Sequence, residues 1–305
     1  MTSDDLPPDV RRLLDERTQA RDARDWARAD AIRDELHDLG WQAEDGPSGS
    51  TARPILAAPP DAEAPVDRPA RIAASLQVAA EDHPDDLERF LRGLSGFPPG
   101  VGWELVVVAN APSFALDEVL GAVTLPLEPI VVETDDRLGW ADARTLSLRH
   151  SSGEITVLLD TSLEPTGDFL TPLLAAFNDP TVGIAGGWGV ASADGREFQD
   201  APPGEVEAIE AYCLAIRREA LRTVGGFDPR FRFYRNADLD LSFAVRDAGW
   251  RAVRTQPLPF ERHEHRGWSS VTPEERDRLS RRNFYRFLDH WGDRRDLLLH
   301  PAPDR

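Results

Sequence analysis

Three groups of residues in this chain have types and spacings that could do chemistry. Asp238 and Asp240 sit two apart where a helical pattern begins, Leu241, Phe243, Ala244, Val245 and Ala248, ended by Gly249. Carboxylates there can cap a helix or offset its dipole, and one that faces a ligand can accept a proton. Asp160 follows the apolar run 155–159, which reads as a buried strand, so it stands at the strand's open end. A carboxylate there can ligate a divalent cation, with Ser162 two residues on; before Pro165 it can equally be a turn residue. His263 and His265 alternate, so extended backbone would turn both imidazoles to one side, and one could complete a metal site. Histidines at a surface turn are the plain alternative.

Around these groups the pattern is of alternating strands and helices. Residues 217–223 read as a short helix, stopped by Gly225-Gly226, after which Phe227 returns to the core and Phe231, Phe233 and Tyr234 follow. Upstream, apolar runs at 72–79, 105–109, 130–132 and 155–159 alternate with helical patterns at 84–94, near Leu116 and at 141–149. This alternation predicts an α/β fold with a mostly parallel sheet covered on both faces by helices. Ligands in such folds bind beyond the carboxyl ends of the strands, where Asp82, Asn110, Asp135 and Asp160 fall.

The same segments carry a resemblance. GGFDP at 225–229 and ADLDL at 237–241, preceded by LQVAAEDHPDDLERFLRGL, ELVVVANAP and RLGWADARTLSLRHSSGEITVLLDTSLEP, resemble in order the motifs of family 2 glycosyltransferases over about residues 70–292. The resemblance implies a GT-A-like nucleotide-sugar-binding sandwich and an inverting transfer from a nucleotide-sugar donor, with Asp238 as the base. It implies donor contacts from Asp82, Asn110, Asp135, Arg144, Asp160 and Arg266, and places Asp240 and Trp268 as acceptor-contacting or structural. A divalent metal, Mn or Mg, would be held by Asp160 with Ser162, His263 or His265. The chain departs from the family pattern where D-x-D becomes Asp160-Thr161-Ser162, V-D-N-x-S becomes VANAP, A-R-N becomes Ala143-Arg144-Thr145 and the acid before the base becomes Ala237. A neutral Ser162 implies a weak metal site or none. The departures keep open a second reading, a GT-A-like domain that binds without catalysing.

The amino-terminal 45 residues read as a helical hairpin ending at Gly40. Its stripes are Val10, Leu13, Leu14 and Ala20, then Trp26, Ala29, Ile32, Leu36 and Leu39. The wording over 8–49 resembles the helical segment at the carboxyl end of cysteinyl-tRNA synthetases, which suggests a third reading, a tRNA-associated protein. Thirteen acids against seven arginines in residues 1–45 argue against nucleic acid as a partner. Residues 46–69, rich in Pro and Ala, predict an extended linker, and 293–305 a tail. A helix over 273–291, with arginines interleaved among acids, predicts packing on the domain, with a peripheral membrane face as the alternative.

The 305 residues, 41% hydrophobic, suffice for a real core. A net charge of −19 disfavours nucleic acid and anionic lipid as general partners. All basic residues are arginine, and the one cysteine, Cys213, excludes internal disulfides and cysteine-based zinc sites. Apolar runs of about seven residues fall short of the roughly 20 of a membrane helix, so the expected location is cytoplasmic. The expected acceptor is a carbohydrate, lipid-linked or protein hydroxyl.

Overall fold

The computed structural model describes residues 6–39, 41–46, 49–54 and 64–302. The expected hairpin end at Gly40 and the middle of the expected linker, 55–63, lie outside them. The chain divides into two compact units, Met1–Glu63 and Ala64–Arg305.

In the first unit α1 (Pro8–Asp22) and α2 (Trp26–Asp38) pack through Val10, Leu13, Leu14, Ala20, Ala29, Ile32 and Leu36, the apolar stripes that their spacing predicts. Trp26 and Leu39 are not in that core; both stand more than half exposed at the helix ends. The chain then forms an antiparallel hairpin, β1 (Trp41–Gly46) and β2 (Gly49–Pro54). Residues 49–54 were expected as linker, but they pair along β1, and Ser50 Oγ accepts from the buried Arg17 guanidinium at 2.7 Å. No local apolar pattern announces this strand; its stability comes from the pairing.

The second unit is built on an eight-stranded sheet. Its elements are β3 (Ile72–Ala80), α3 (Pro84–Gly96), β4 (Trp103–Ala109), α4 (Leu116–Gly121), β5 (Ile130–Glu133), α5 (Trp140–Arg149), β6 (Gly153–Leu159), β7 (Leu163–Pro165) and α6 (Leu170–Ala175). Then come β8 (Val182–Gly186), β9 (Gly189–Ala191), β10 (Gln199–Asp200), β11 (Gly204–Glu205), β12 (Ala208–Ile209), β13 (Cys213–Arg217) and α7 (Arg218–Val224). The last are α8 (Ala237–Asp247), β14 (Arg251–Arg254), β15 (Phe260–Arg262), α9 (Arg266–Ser269) and α10 (Pro273–Trp291).

The strand order is β11-β14-β8-β13-β6-β3-β4-β5. The β6-β3-β4-β5 half is parallel, as the alternating pattern predicts, and β13 runs antiparallel between β6 and β8. One core cluster centres on Leu76, Phe90, Leu105 and Phe169, a second on Leu214, Phe231, Phe243 and Phe287. β3 and β6 approach so closely that a Cβ on Gly153 would lie 2.4 Å from the Ser75 amide nitrogen, so only glycine fits.

Both ends of this unit are packed. Arg218 donates to the carbonyls of Pro65, Val66 and Arg68, which docks the last residues of the expected linker. In the expected tail, Leu297 and Leu298 are buried and Arg246 donates to the Leu297 carbonyl, because two adjacent leucines have an apolar surface to bury.

Candidate active site

Two adjoining hollows lie beyond the strand ends and share Trp140, Asp160, Tyr234 and His265. The smaller, about 120 Å³, is lined by Glu81, Asp82, Asp86, Arg144, Ser162 and Arg266. The larger, about 510 Å³, is lined by Glu210, Ala211, Tyr212, Asp238, Arg235 and Arg281 among others.

Asp160 belongs to both because β6 ends there. Its amide donates to the Tyr212 carbonyl across the β6-β13 pair, and its Oδ1 accepts from the Ser162 amide at 2.9 Å. Its other oxygen, Oδ2, is 3.6 Å from His265 Nε2. His265 is held between two rings, Tyr234 at 4.4 Å and Tyr212 at 5.7 Å. The two histidines part company. His263, which follows β15, places Nε2 2.8 Å from Glu164 Oε2 and lines neither hollow. β15 ends at Arg262, and His265 is the residue that precedes α9.

On the smaller hollow's wall the charges are paired. Arg137 donates to Asp82 Oδ1 at 2.5 Å, which holds that carboxyl below its ordinary range. Asp86 is buried; burial works to raise its pKa, but bonds from Arg266 and Arg89 outweigh it and hold it low. Arg144 lies 3.5 Å from Glu81 and over the Trp140 ring at 5.2 Å. Arg144 and Arg266 therefore present charge to this space, as expected, although each already has an acid partner. Asn110 does not face it: its Oδ1 accepts from the Leu138 amide at 2.7 Å and its Nδ2 donates to Glu81, so the buried amide clamps the chain that leads to α5. Asp135 is exposed and lines neither hollow.

The larger hollow owes its shape to the stretch 212–241. Gly225 ends α7 in the left-handed region (φ +83°), and Gly226 (φ +111°) lies so close to Thr145 that the Phe227 amide donates to Thr145 Oγ1 at 3.0 Å. Phe227 then packs edge-on against Trp140. At α8 the cap residue is Asn236, so Asp238 falls within the first turn and is not the cap. Asp238 instead accepts from the Ala211 amide at 3.1 Å and from the Leu239 amide at 3.0 Å. Burial pushes its carboxyl above the usual carboxylate range, and those two amides pull the other way. Asp240 turns away from the hollow: it is buried, accepts from Trp291 Nε1 at 2.8 Å, and has His290 Nδ1 at 3.0 Å. Trp268 is exposed, with Arg276 over its ring at 3.9 Å, and lines neither hollow.

Several lining residues had no signal in the sequence that singled them out. Glu210, between two strands of only two and five residues, is the most notable: burial and the neighbouring Asp238 charge push its carboxyl up to about 7. Burial likewise raises Tyr212 and Tyr234. Trp140 and Glu81 stood in plain view, four residues before Arg144 and directly before Asp82, in segments read for their acids and arginines.

Whether this site can take a divalent cation can be judged from its donors. Asp160 Oδ2 and His265 Nε2 face one another without a tight bond, and Ser162 Oγ and His265 Nδ1 are buried with no hydrogen-bond partner. That set of oxygen and imidazole donors fits a cation that also binds substrate oxygens. Among the described residues, the places where three such groups converge within 4.8 Å are elsewhere, at Glu164–Glu261–His263 and Asp228–Asp240–His290.

A mixed sheet with carboxylates at the ends of its parallel strands and a two-part hollow beyond them defines a GT-A transferase scaffold. Residues 80–254 match the model of glycosyl transferase family 2, and the chain belongs to that family. Residues 3–53 match the cysteinyl-tRNA ligase anticodon binding domain. Among curated relatives, the chain is 25% identical to the pre-mycofactocin glycosyltransferase of Mycobacterium tuberculosis over 84% of its own length and 55% of that protein's. It thus spans about half the length of that relative. The amino-terminal unit is 49% identical over 51 residues to cysteine–tRNA ligase of Shewanella baltica, 17% of this chain and 11% of that one. Two solved structures share the fold. They are GalNAc-T7 with UDP, GalNAc and Mn2+ (TM-score 0.59, 16% identity, 74% of this chain and 50% of that chain) and the Pyrobaculum calidifontis mannosyltransferase with GDP-Man and Mn2+ (0.53, 24%, 68% and 61%). Among the described residues, no helix is long and apolar enough to cross a membrane.

Proposed function

We propose that the chain transfers a sugar, with inversion, from a nucleoside-diphosphate sugar to an acceptor hydroxyl. The smaller hollow takes the diphosphate end of the donor and the larger takes the acceptor. The observation that carries this reading is Asp238: its half-buried carboxyl stands in the wall of the larger hollow, fixed by the Ala211 amide, and burial pushes it above the usual carboxylate range, which favours proton uptake. Fold-sharing proteins solved with UDP or GDP-Man support the donor class.

In this reading the acceptor hydroxyl gives its proton to Asp238 as its oxygen bonds to the anomeric carbon. The bond from that carbon to the diphosphate breaks on the opposite face, and the nucleoside diphosphate leaves with the electron pair. Arg144 and Arg266 stabilise the charge that builds on it. A divalent cation, when bound, neutralises diphosphate charge, and Asp160 and His265 would hold it. Asp160 is thereby a donor-site residue, Asp82 orders Arg137 at the rim, and Asp240 is an anchor for α10. Donor hydrolysis offers an assay that needs no known acceptor: the wild type should release nucleoside diphosphate from UDP- or GDP-sugars in Mn2+, and Asp238→Asn should bind the nucleotide equally well. A chain that binds no nucleoside diphosphate under these conditions would overturn the reading.

A further inference from the structure

The larger hollow has an uneven distribution of charge. Asp160 and Asp238 are half-buried and lie at its inner end, where Asp160 also lines the donor side. Arg196, Arg235 and Arg281 line the same hollow and are exposed. They come from three elements: the loop between β9 and β10, the residues before α8, and α10. Phe198 packs on Phe243 at 6.1 Å and Phe287 at 5.6 Å, which ties that loop to both helices, so the arginines are carried on packed structure. In a chain with 54 acids against 35 arginines, an exposed guanidinium ordinarily finds a carboxylate. Among the described residues, none of these three has one within 4.0 Å. Asp200, also on the wall, and Asp194, whose Oδ1 accepts from the Arg196 amide at 2.8 Å, carry opposite charge nearby.

We propose that the outer end of this hollow is a subsite for a carboxylate or phosphate carried by the acceptor. The inference rests on the transfer reading above. Guanidinium groups present forked donors to such oxyanions, whereas the inner carboxylates repel them. An acceptor charged at one end would therefore enter with its anion outward and its hydroxyl toward Asp238. Charge would orient it before any sugar-specific contact forms.

Titration calorimetry on the full chain tests this, with the donor side filled by saturating UDP and Mn2+. Glucose 6-phosphate and glucuronate serve as phosphate and carboxylate probes, and glucose as the neutral control. At least one anion should bind saturably where glucose does not. The double variant Arg196→Gln/Arg281→Gln should weaken that binding at least about tenfold, with an unchanged melting temperature and unchanged UDP affinity. Which anion binds identifies the group. Equal binding of glucose, no binding of either anion, or anion binding indifferent to the arginines overturns the subsite. If UDP itself does not bind, the transfer reading falls, and the same titrations without nucleotide still decide the anion subsite.

Discussion

On the proposed donor side, nearly every charge already has a protein partner: Arg137 on Asp82, Arg144 near Glu81, Arg266 and Arg89 on Asp86. Across Asp160, the proposed acceptor side keeps Glu210, Arg196 and Arg281 without ion pairs within 4.0 Å among the described residues. In the proposed reading the smaller hollow takes a nucleoside diphosphate, whose chemistry is fixed, so a cradle assembled in advance would cost no reorganisation as the leaving charge develops. The acceptor side instead leaves charges open, and open charges discriminate between ligands because an unsuitable one leaves them unsatisfied.

The comparison is broken most directly at Asp238. Asp238→Asn should lower transfer or donor hydrolysis by about 100-fold or more, the usual worth of a general base, with UDP affinity unchanged. If activity per folded molecule survived, the acceptor side would lose its chemistry and Asp238 would be a structural bond to Ala211.

Next in size is Asp240, two residues on and outside both hollows. Asp240→Asn should cost about 1.5–3 kcal/mol, because charge-assisted bonds to Trp291 and His290 hold α10 to α8. A shift of the denaturant midpoint with retained specific activity would confirm the division of labour between the two acids; a selective loss of activity would contradict it.

The donor side is sharpened by the two histidines. His265→Ala should weaken Mn2+ binding by at least the roughly tenfold that loss of a supporting residue costs, and His263→Ala should leave it within about twofold. Equal effects in calorimetry would mean that the Glu164 cluster takes part.

A further test lies in how stability depends on pH through Glu210. Its folded pKa of about 7 lies above the ordinary 4.5, so the folded state holds the proton more tightly than the unfolded chain. Relative to Glu210→Gln, wild-type stability is full below pH 4.5 and is lost as pH rises through about 7. The expected difference is of the order of 1–3 kcal/mol, read by urea melts of both proteins at pH 5 and pH 8. Parallel curves would show that Glu210 has found a partner.

The sequence by itself determined the parallel half of the sheet, the delivery of Asp160 to a strand end, the Gly225-Gly226 stop and the amphipathic α10. Each is a local pattern: an apolar run, a pair of glycines, a helical period. It also indicated through resemblance that Asp238 was the acid to follow. Tertiary structure decided which way side chains face when neighbours two residues apart diverge. Helical geometry separates Asp238 from Asp240 by about 200°, but only the packing of α8 against β12 and α10 fixed which of them meets the hollow. Tertiary contacts likewise separated the two histidines, His263 on Glu164 and His265 between Tyr212 and Tyr234. Asn110 lay at a strand end as predicted, yet turned inward because the chain returning from β5 to α5 needed its amide. Glu210 and Arg196 came to line the larger hollow only when two-residue strands and loops, too short to leave a period in the sequence, were brought beside α8 and α10 by long-range pairing.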